Sequence, residues 1–278
     1  MIANHNGRFI NSTDPIITGQ DGAWLYGDTL FETMKAKDGH IYFLSRHLDR
    51  LEYSAGLTDF PFDRTKIIEA LDASLQQAEK TTQRIRLTIS RGAHTSVAFP
   101  ANDSGYFLIQ VMPYEEPGED EQTGGISCVL APNRRVNPLS HCPQMKRGNY
   151  ADCLYAANYA RSKGAREALF VSRRGLLLEG ATSNAFLIRN DTLITPTLGE
   201  LVLRGIIRGL VLELAGEWGM RIESREVPLD EVYNADELFI TNSLIDVLPV
   251  AEVDGRTVRK GPLTQKFLAA LKNHDRAI

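Results

Sequence analysis

Cysteine is scarce in this 278-residue chain, with Cys128, Cys142 and Cys153 the only three. So small and odd a set cannot staple a disulfide scaffold, and a reducing, cytoplasmic setting is expected. No run of about 18 uninterrupted apolar residues occurs, so no transmembrane helix and no membrane partner are expected. The opening residues also lack the apolar core of a signal peptide. Basic excess is missing: the formal net charge is −4, which argues against nucleic acid as a partner. The six histidines, at 5, 40, 47, 94, 141 and 274, form no His-Glu-x-x-His pattern, and the cysteines form no paired ligand set. No metal site is expected. A Walker-type loop and a Gly-x-Ser-x-Gly nucleophile elbow are absent as well.

What is present is ordinary globular material, 43% hydrophobic and 24% charged, in a length that suggests roughly two domains. The acidic stretch from Tyr114 to Gly125 carries Pro117 and three glycines without apolar periodicity. It reads as a link, residues 114–125, between an N-terminal domain at 1–113 and a C-terminal domain at 126–278. In the first domain, Asp38-Gly39 predicts a hairpin between Thr29–Lys37 and His40–Leu44. Ser45 is a candidate cap for a helix to about Ala55, and a second helix is predicted from Arg64 to Lys80. Ile85, Leu87 and Ile89 alternate with Arg84, Arg86 and Thr88, the mark of a strand with one polar face. Strands and helices are segregated, which predicts an α+β domain. The second domain shows many short strands around a helix from Asn149 to Gly164 and another from Gly205 to Trp218, which suggests a barrel-like mixed architecture.

Three fragments carry the chemistry. Lys146 stands in Gln144-Met145-Lys146-Arg147-Gly148-Asn149-Tyr150, before a helix with apolar early residues. Burial there favours the neutral amine, which condenses with an aldehyde. Glu179 closes the run Leu176-Leu177-Leu178 ahead of Gly180; a carboxylate beside a pyridine nitrogen keeps that nitrogen protonated. Gly205-Ile206-Ile207 opens a helix, where unpaired amides with partial positive charge suit a phosphate. Thr241-Asn242-Ser243 adds amide and hydroxyl donors after an apolar strand, and Arg50 adds a cation. An amine, a carboxylate and a phosphate cradle are what a phosphate-bearing aldehyde such as pyridoxal 5'-phosphate requires.

Taken together, these residues resemble the class IV pyridoxal-phosphate enzymes, or fold type IV, over about Gly27 to Val250. That family holds branched-chain and D-amino acid aminotransferases and 4-amino-4-deoxychorismate lyases. The motifs are Tyr26-Gly27-Asp28 with Phe31-Glu32-Thr33, His47 to Leu51, Lys146, Leu178-Glu179-Gly180 through Ser183-Asn184, Arg204-Gly205 through Arg208, and Thr241-Asn242-Ser243 through Pro249. The resemblance implies that Lys146 holds the cofactor covalently and then moves protons. It implies that Glu179 faces the ring nitrogen and that Tyr150 reaches the ring hydroxyl. Arg50, Gly205 with the amides of Ile206 and Ile207, and Asn242 with Ser243 are implied to hold the phosphate. A small α+β N-terminal domain, a barrel-like C-terminal domain, a homodimer, and an active site between domains and near the partner subunit are implied in turn.

All members act on a small-molecule amine. Strand parity puts Phe31, Thr33 and Lys35 on one face, as candidate substrate contacts. Lyases typically carry threonine where Thr33 stands, and branched-chain enzymes glycine. The Thr241-Asn242-Ser243 turn also looks like the lyases. These features favour a lyase releasing pyruvate and 4-aminobenzoate, with Thr33 beside Lys146 in the reaction; an amino acid aminotransferase is the alternative. Lys35, Arg86 and Arg91 are the candidate cations for substrate carboxylates. After Arg91-Gly92 the Arg-x-His carboxylate trap of D-amino acid aminotransferases is missing, which makes His94 a loop residue. A protein of another class, which only stores the cofactor, would not need Lys146 together with Glu179.

Overall fold

The computed structural model describes residues 1–11, 13–14, 16–79, 81–100 and 104–273. Lys80, at the end of a predicted helix, and His274 lie outside the described residues. The chain divides into two compact units. Among the described residues, the first is 1–116 together with 145–150, and the second is 117–144 with 151–273.

The first unit contains β1 (Ile2–His5), β2 (Arg8–Ile10), α1 (Gly22–Tyr26), β3 (Thr29–Lys37), β4 (His40–Ile41), α2 (Leu44–Leu57), α3 (Arg64–Gln76), β5 (Gln83–Ser90) and β6 (Tyr106–Pro113). Its strands form one six-stranded sheet in the order β2-β1-β6-β5-β3-β4. The β3–β4 hairpin turns through Asp38 at φ 51° and Gly39 at φ 82°, the left-handed pair that a tight two-residue turn requires. Alternation sorts the sheet faces. Leu30, Met34, Ile85, Leu87, Ile89, Ile109 and Val111 are buried, and α2 and α3, which contact the sheet, bring Leu48, Leu51, Ile67 and Leu71 to the same core. The opposite face carries Phe31, Thr33, Lys35, Arg84, Arg86 and Thr88, with Thr33 opposite Arg86 and Lys35 opposite Arg84.

The second unit contains α4 (Glu119–Gly124), β7 (Ile126–Leu130), α5 (Ala151–Ser162), β8 (Glu167–Val171), β9 (Leu176–Gly180), β10 (Asn184–Arg189), β11 (Thr192–Pro196), α6 (Ile206–Glu217), β12 (Arg221–Arg225), β13 (Val227–Pro228), α7 (Leu229–Tyr233), β14 (Glu237–Asn242), β15 (Asp246–Val253), β16 (Arg256–Thr257) and α8 (Pro262–Asn273). These strands make a ten-stranded mixed sheet in the order β12-β11-β10-β14-β15-β7-β8-β9-β13, with β16 on β15. Its two ends, β12 and β13, are separated in the chain only by Glu226, so the sheet curls almost onto itself as a barrel. Ile126, Leu169, Leu177, Ala185, Leu187, Leu238, Leu248 and Val250 belong to the buried core it encloses.

Three expectations need correction. The link at 114–125 carries α4, because Gly118 starts a helix whose first turn holds Glu119, Asp120 and Glu121, charges that suit the helix dipole. Met145–Tyr150 groups with the first unit, although the chain position of Lys146 predicted the C-terminal domain. Ser45 does not cap α2; Phe43, at φ 55° and with no side-chain bond, holds that place.

Helix α8 was not foreseen, and its start is held by a distant acid. Glu237, 4% exposed, accepts bonds from Leu263 N at 3.0 Å, Thr264 N at 2.7 Å and Thr264 Oγ1 at 2.6 Å. Glu237→Ala strips these donors of their acceptor. It is expected to lower stability by about 2 kcal/mol in urea denaturation.

Candidate active site

In the first unit the Lys146 segment runs as an added strand beside β3. Phe31 N donates to Lys146 O at 2.9 Å and Gly148 N to Thr29 O at 2.8 Å, with a bridge between Leu30 and Arg147. Glycine at 148 is a packing necessity, since a Cβ there would lie 1.8 Å from Thr29 Oγ1. This pinning puts the Lys146 Nζ 4.8 Å from the centre of the Phe31 ring. The Tyr150 ring meets Phe31 edge-on at 5.6 Å, and the Arg86 guanidinium stacks on Phe31 at 3.8 Å. Phe31 is thus the hub of amine, phenol and guanidinium. Lys146 is half-buried in the isolated chain, where the sequence predicted burial.

The candidate cations separate clearly. Lys35, 1% exposed, is paired with Glu116 at 2.8 Å. Arg91 donates to Asp28 at 2.8 Å, to the Asp59 carbonyl at 2.7 Å and to the Thr58 carbonyl, between the rings of Phe60 and Phe99. His94, predicted as a loop residue, is buried with its Nε2 3.7 Å from Asp28. By contrast, Arg86 and Arg84 have no acid within ion-pair distance among the described residues, and Arg84 Nε is buried without a partner. Burial foremost, and then the charge of Arg84, depress the pKa of Arg86. Two arginines crowded on one face without a counter-ion favour an anion.

Arg50 lies beneath β3, on the helix side. Its Nε donates to Glu32 Oε1 at 2.7 Å and its NH2 to Glu32 Oε2 at 2.5 Å, while His47 Nδ1 meets Glu32 Oε2 at 2.7 Å. Burial alone would raise the Glu32 pKa, but Arg50 and His47 outweigh it and bring it down to about 2.

In the second unit, Glu179 is the penultimate residue of β9, at 4% exposure. Its carboxylate accepts from Arg135 Nε at 3.0 Å, Asn184 Nδ2 at 3.2 Å and Leu203 N at 2.8 Å. Arg135 is itself held by Asp152 at 2.6 Å. Three donors therefore hold this buried carboxylate, and Asp152 braces one of them. Gly205 caps α6 without any side-chain bond, so the first-turn amides of Ile206 and Ile207 stay available for an anion. A Cβ at 205 would lie 2.0 Å from Asn184 Oδ1. Asn242 is engaged in its own turn, accepting from Leu244 N and Ile245 N and donating to Thr182 O. It shapes the loop that presents half-buried Ser243, and Thr241 Oγ1 nearby is buried and has no partner among the described residues. Leu198, Gly199, Glu200, Val202 and Arg204 also wall a pocket of about 420 Å³ with His141 and Cys142. Arg135 and Asp152 escaped sequence reading, because nothing local ties either to Glu179.

His47 supplies a pH test. Burial foremost, with Arg50 and Lys146 adding, pulls its pKa below the ordinary 6.5 despite Glu32. The unfolded chain therefore binds the extra proton first, and stability falls as pH drops through about 6.5. Glu32, depressed to about 2, keeps its contribution until far lower pH. Thermal midpoints measured from pH 7 to pH 5 are expected to fall, with a shallower slope in His47→Gln.

The sequence profile described as amino-transferase class IV matches residues 29–253. A branched-chain-amino-acid aminotransferase of Pseudomonas aeruginosa is 31% identical over 257 residues, covering 88% of this chain and 83% of that protein. A D-alanine aminotransferase of Bacillus licheniformis is 29% identical over 274 residues, covering 96% of this chain and 95% of that one. Among solved structures, 4-amino-4-deoxychorismate lyase from Pseudomonas aeruginosa superposes with a TM-score of 0.89 at 26% identity, covering 99% of this chain and 100% of the lyase.

Proposed function

The chain belongs to the class IV aminotransferases, and from that footing we propose that it is an amino acid transaminase working on carboxylate-bearing substrates. Enzymes of this family depend on pyridoxal 5'-phosphate, which when bound supplies an aldehyde for the substrate amine and a ring that accepts electrons. The residues present fit it: an uncapped helix start at Gly205, a buried carboxylate at Glu179 and an orphaned hydroxyl at Thr241.

The roles follow from the chemistry of each side chain. Lys146 holds the cofactor and carries the α-proton of the substrate through its Nζ. Glu179, whose carboxylate is engaged by Arg135, Asn184 and the Leu203 amide, would pair with the ring nitrogen and keep it protonated. Tyr150 takes the ring hydroxyl. Arg50, the amides of Ile206 and Ile207, and Ser243 bind the phosphate. Phe31 and Thr33 line the substrate side, where Arg86 with Arg84 takes a carboxylate; the Glu116 pair leaves Lys35 a supporting part. Exposed Trp24, Leu25 and Tyr26 on α1 support a homodimer, and a cytoplasmic location goes with the family resemblance.

The observation that carries transamination is the extent of the likeness to relatives named as transaminases, at 29–31% identity over most of both chains. One residue favours the lyase: Thr33, where that activity typically has threonine, joined by the lyase structure covered from end to end. An assay with and without a keto acid separates the two. Transamination requires the acceptor and yields a new amino acid. Release of 4-aminobenzoate and pyruvate from aminodeoxychorismate, with no acceptor present, would install the lyase instead. In either case Lys146→Ala is expected to abolish borohydride trapping of the cofactor and cut turnover by about 10³-fold or more. Arg86→Gln is expected to raise KM for a dicarboxylate acceptor about tenfold, measured against a monocarboxylate control.

A further inference from the structure

We propose that Glu32 is the positioning residue that aims Arg50 at the cofactor phosphate, an inference that rests on Arg50 being a phosphate ligand. Glu32 is fully buried on the helix-packed face of β3, flanked by Leu30 and Met34 and opposite Leu87. A carboxylate in such surroundings is costly unless every oxygen is engaged. Both are. Oε1 and Oε2 take the Nε and NH2 of Arg50 at 2.7 Å and 2.5 Å, and Oε2 takes His47 Nδ1 at 2.7 Å.

The geometry does more than neutralise charge. A guanidinium is a rigid planar fork, so clamping one edge on a carboxylate sets the direction of the opposite edge. His47 and Arg50 lie three residues apart on α2 and so share one face of that helix. Glu32 stands on a strand inside the sheet, paired through β5. The strand therefore sets the plane of the guanidinium, and the helix alone does not. Arg50 itself is only 11% exposed, which leaves its side chain few other orientations. His47 has its Nε2 buried and, among the described residues, without a partner, so the one hydrogen bond of its ring there is the one that holds Glu32.

A simple staple between α2 and β3 would use the same bonds, and the two roles part at the phosphate. The full chain, freed of cofactor and titrated back by absorbance, is compared for pyridoxal 5'-phosphate and for pyridoxal, which lacks the phosphate. Glu32→Gln is expected to weaken the phosphate form by about tenfold or more while pyridoxal stays within about twofold. Equal loss for both, or loss for neither, overturns the inference. If Glu32→Gln fails to fold, Glu32→Asp, which keeps the charge and shortens its reach, is read by the same ratio and overturned by the same equality. Arg50→Lys separates this inference from its footing. If Arg50→Lys is selective for the phosphate and the Glu32 variants are not, only the role of Glu32 falls. If Arg50→Lys shows no selectivity, the phosphate reading of Arg50 falls and takes the inference with it.

Discussion

The hydrogen bond from the Phe31 amide to the Lys146 carbonyl, at 2.9 Å, is the contact on which the placement of Lys146 depends. It registers a short excursion of the chain against a strand of another part of the sequence. Once made, it leaves no room at position 148 for anything beyond a hydrogen, and it sets the Lys146 amine over the same ring that Arg86 covers. A lysine on a free loop would have no defined distance to any of these groups. Preorganisation of this kind is what a reaction on a bound amine needs.

Charge compensation then decides what each ionic residue is available for. Glu179 with Arg135, Glu32 with Arg50, Lys35 with Glu116 and Arg91 with Asp28 are all pairs with at least one buried member. Such pairs hold geometry more than they add stability. Arg84 and Arg86 stand apart, side by side and, among the described residues, with no acid at ion-pair distance. Keeping two guanidinium groups together in a partly dry place costs energy, and an incoming carboxylate would offset it. The proposed acid-bearing amine substrate draws its support from this contrast between paired and unpaired cations.

Much of this was legible in the order of residues. The period-two alternation of β5 and the Asp38-Gly39 turn are local, so backbone preferences alone reveal them. Glu179 and Gly205 are also readable, because each needs a particular residue at the end of a strand or the start of a helix. Other features were not. Phe43 in a left-handed conformation in place of a Ser45 cap, α4 inside a stretch rich in Pro and Gly, and the clasp of Arg135 on Glu179 each depend on partners that arrive only when the sheets assemble.

Residue type and local conformation already mark out an amine at Lys146, an acid at Glu179 and a helix start with open amides at Gly205, in that order. Which basic residues are paired with acids is visible only once the chain has folded. Lys35 meets Glu116 and Arg91 meets Asp28 across long stretches of chain. No local pattern records such pairings, since an ion pair depends on distance in space and the fold is what sets that distance.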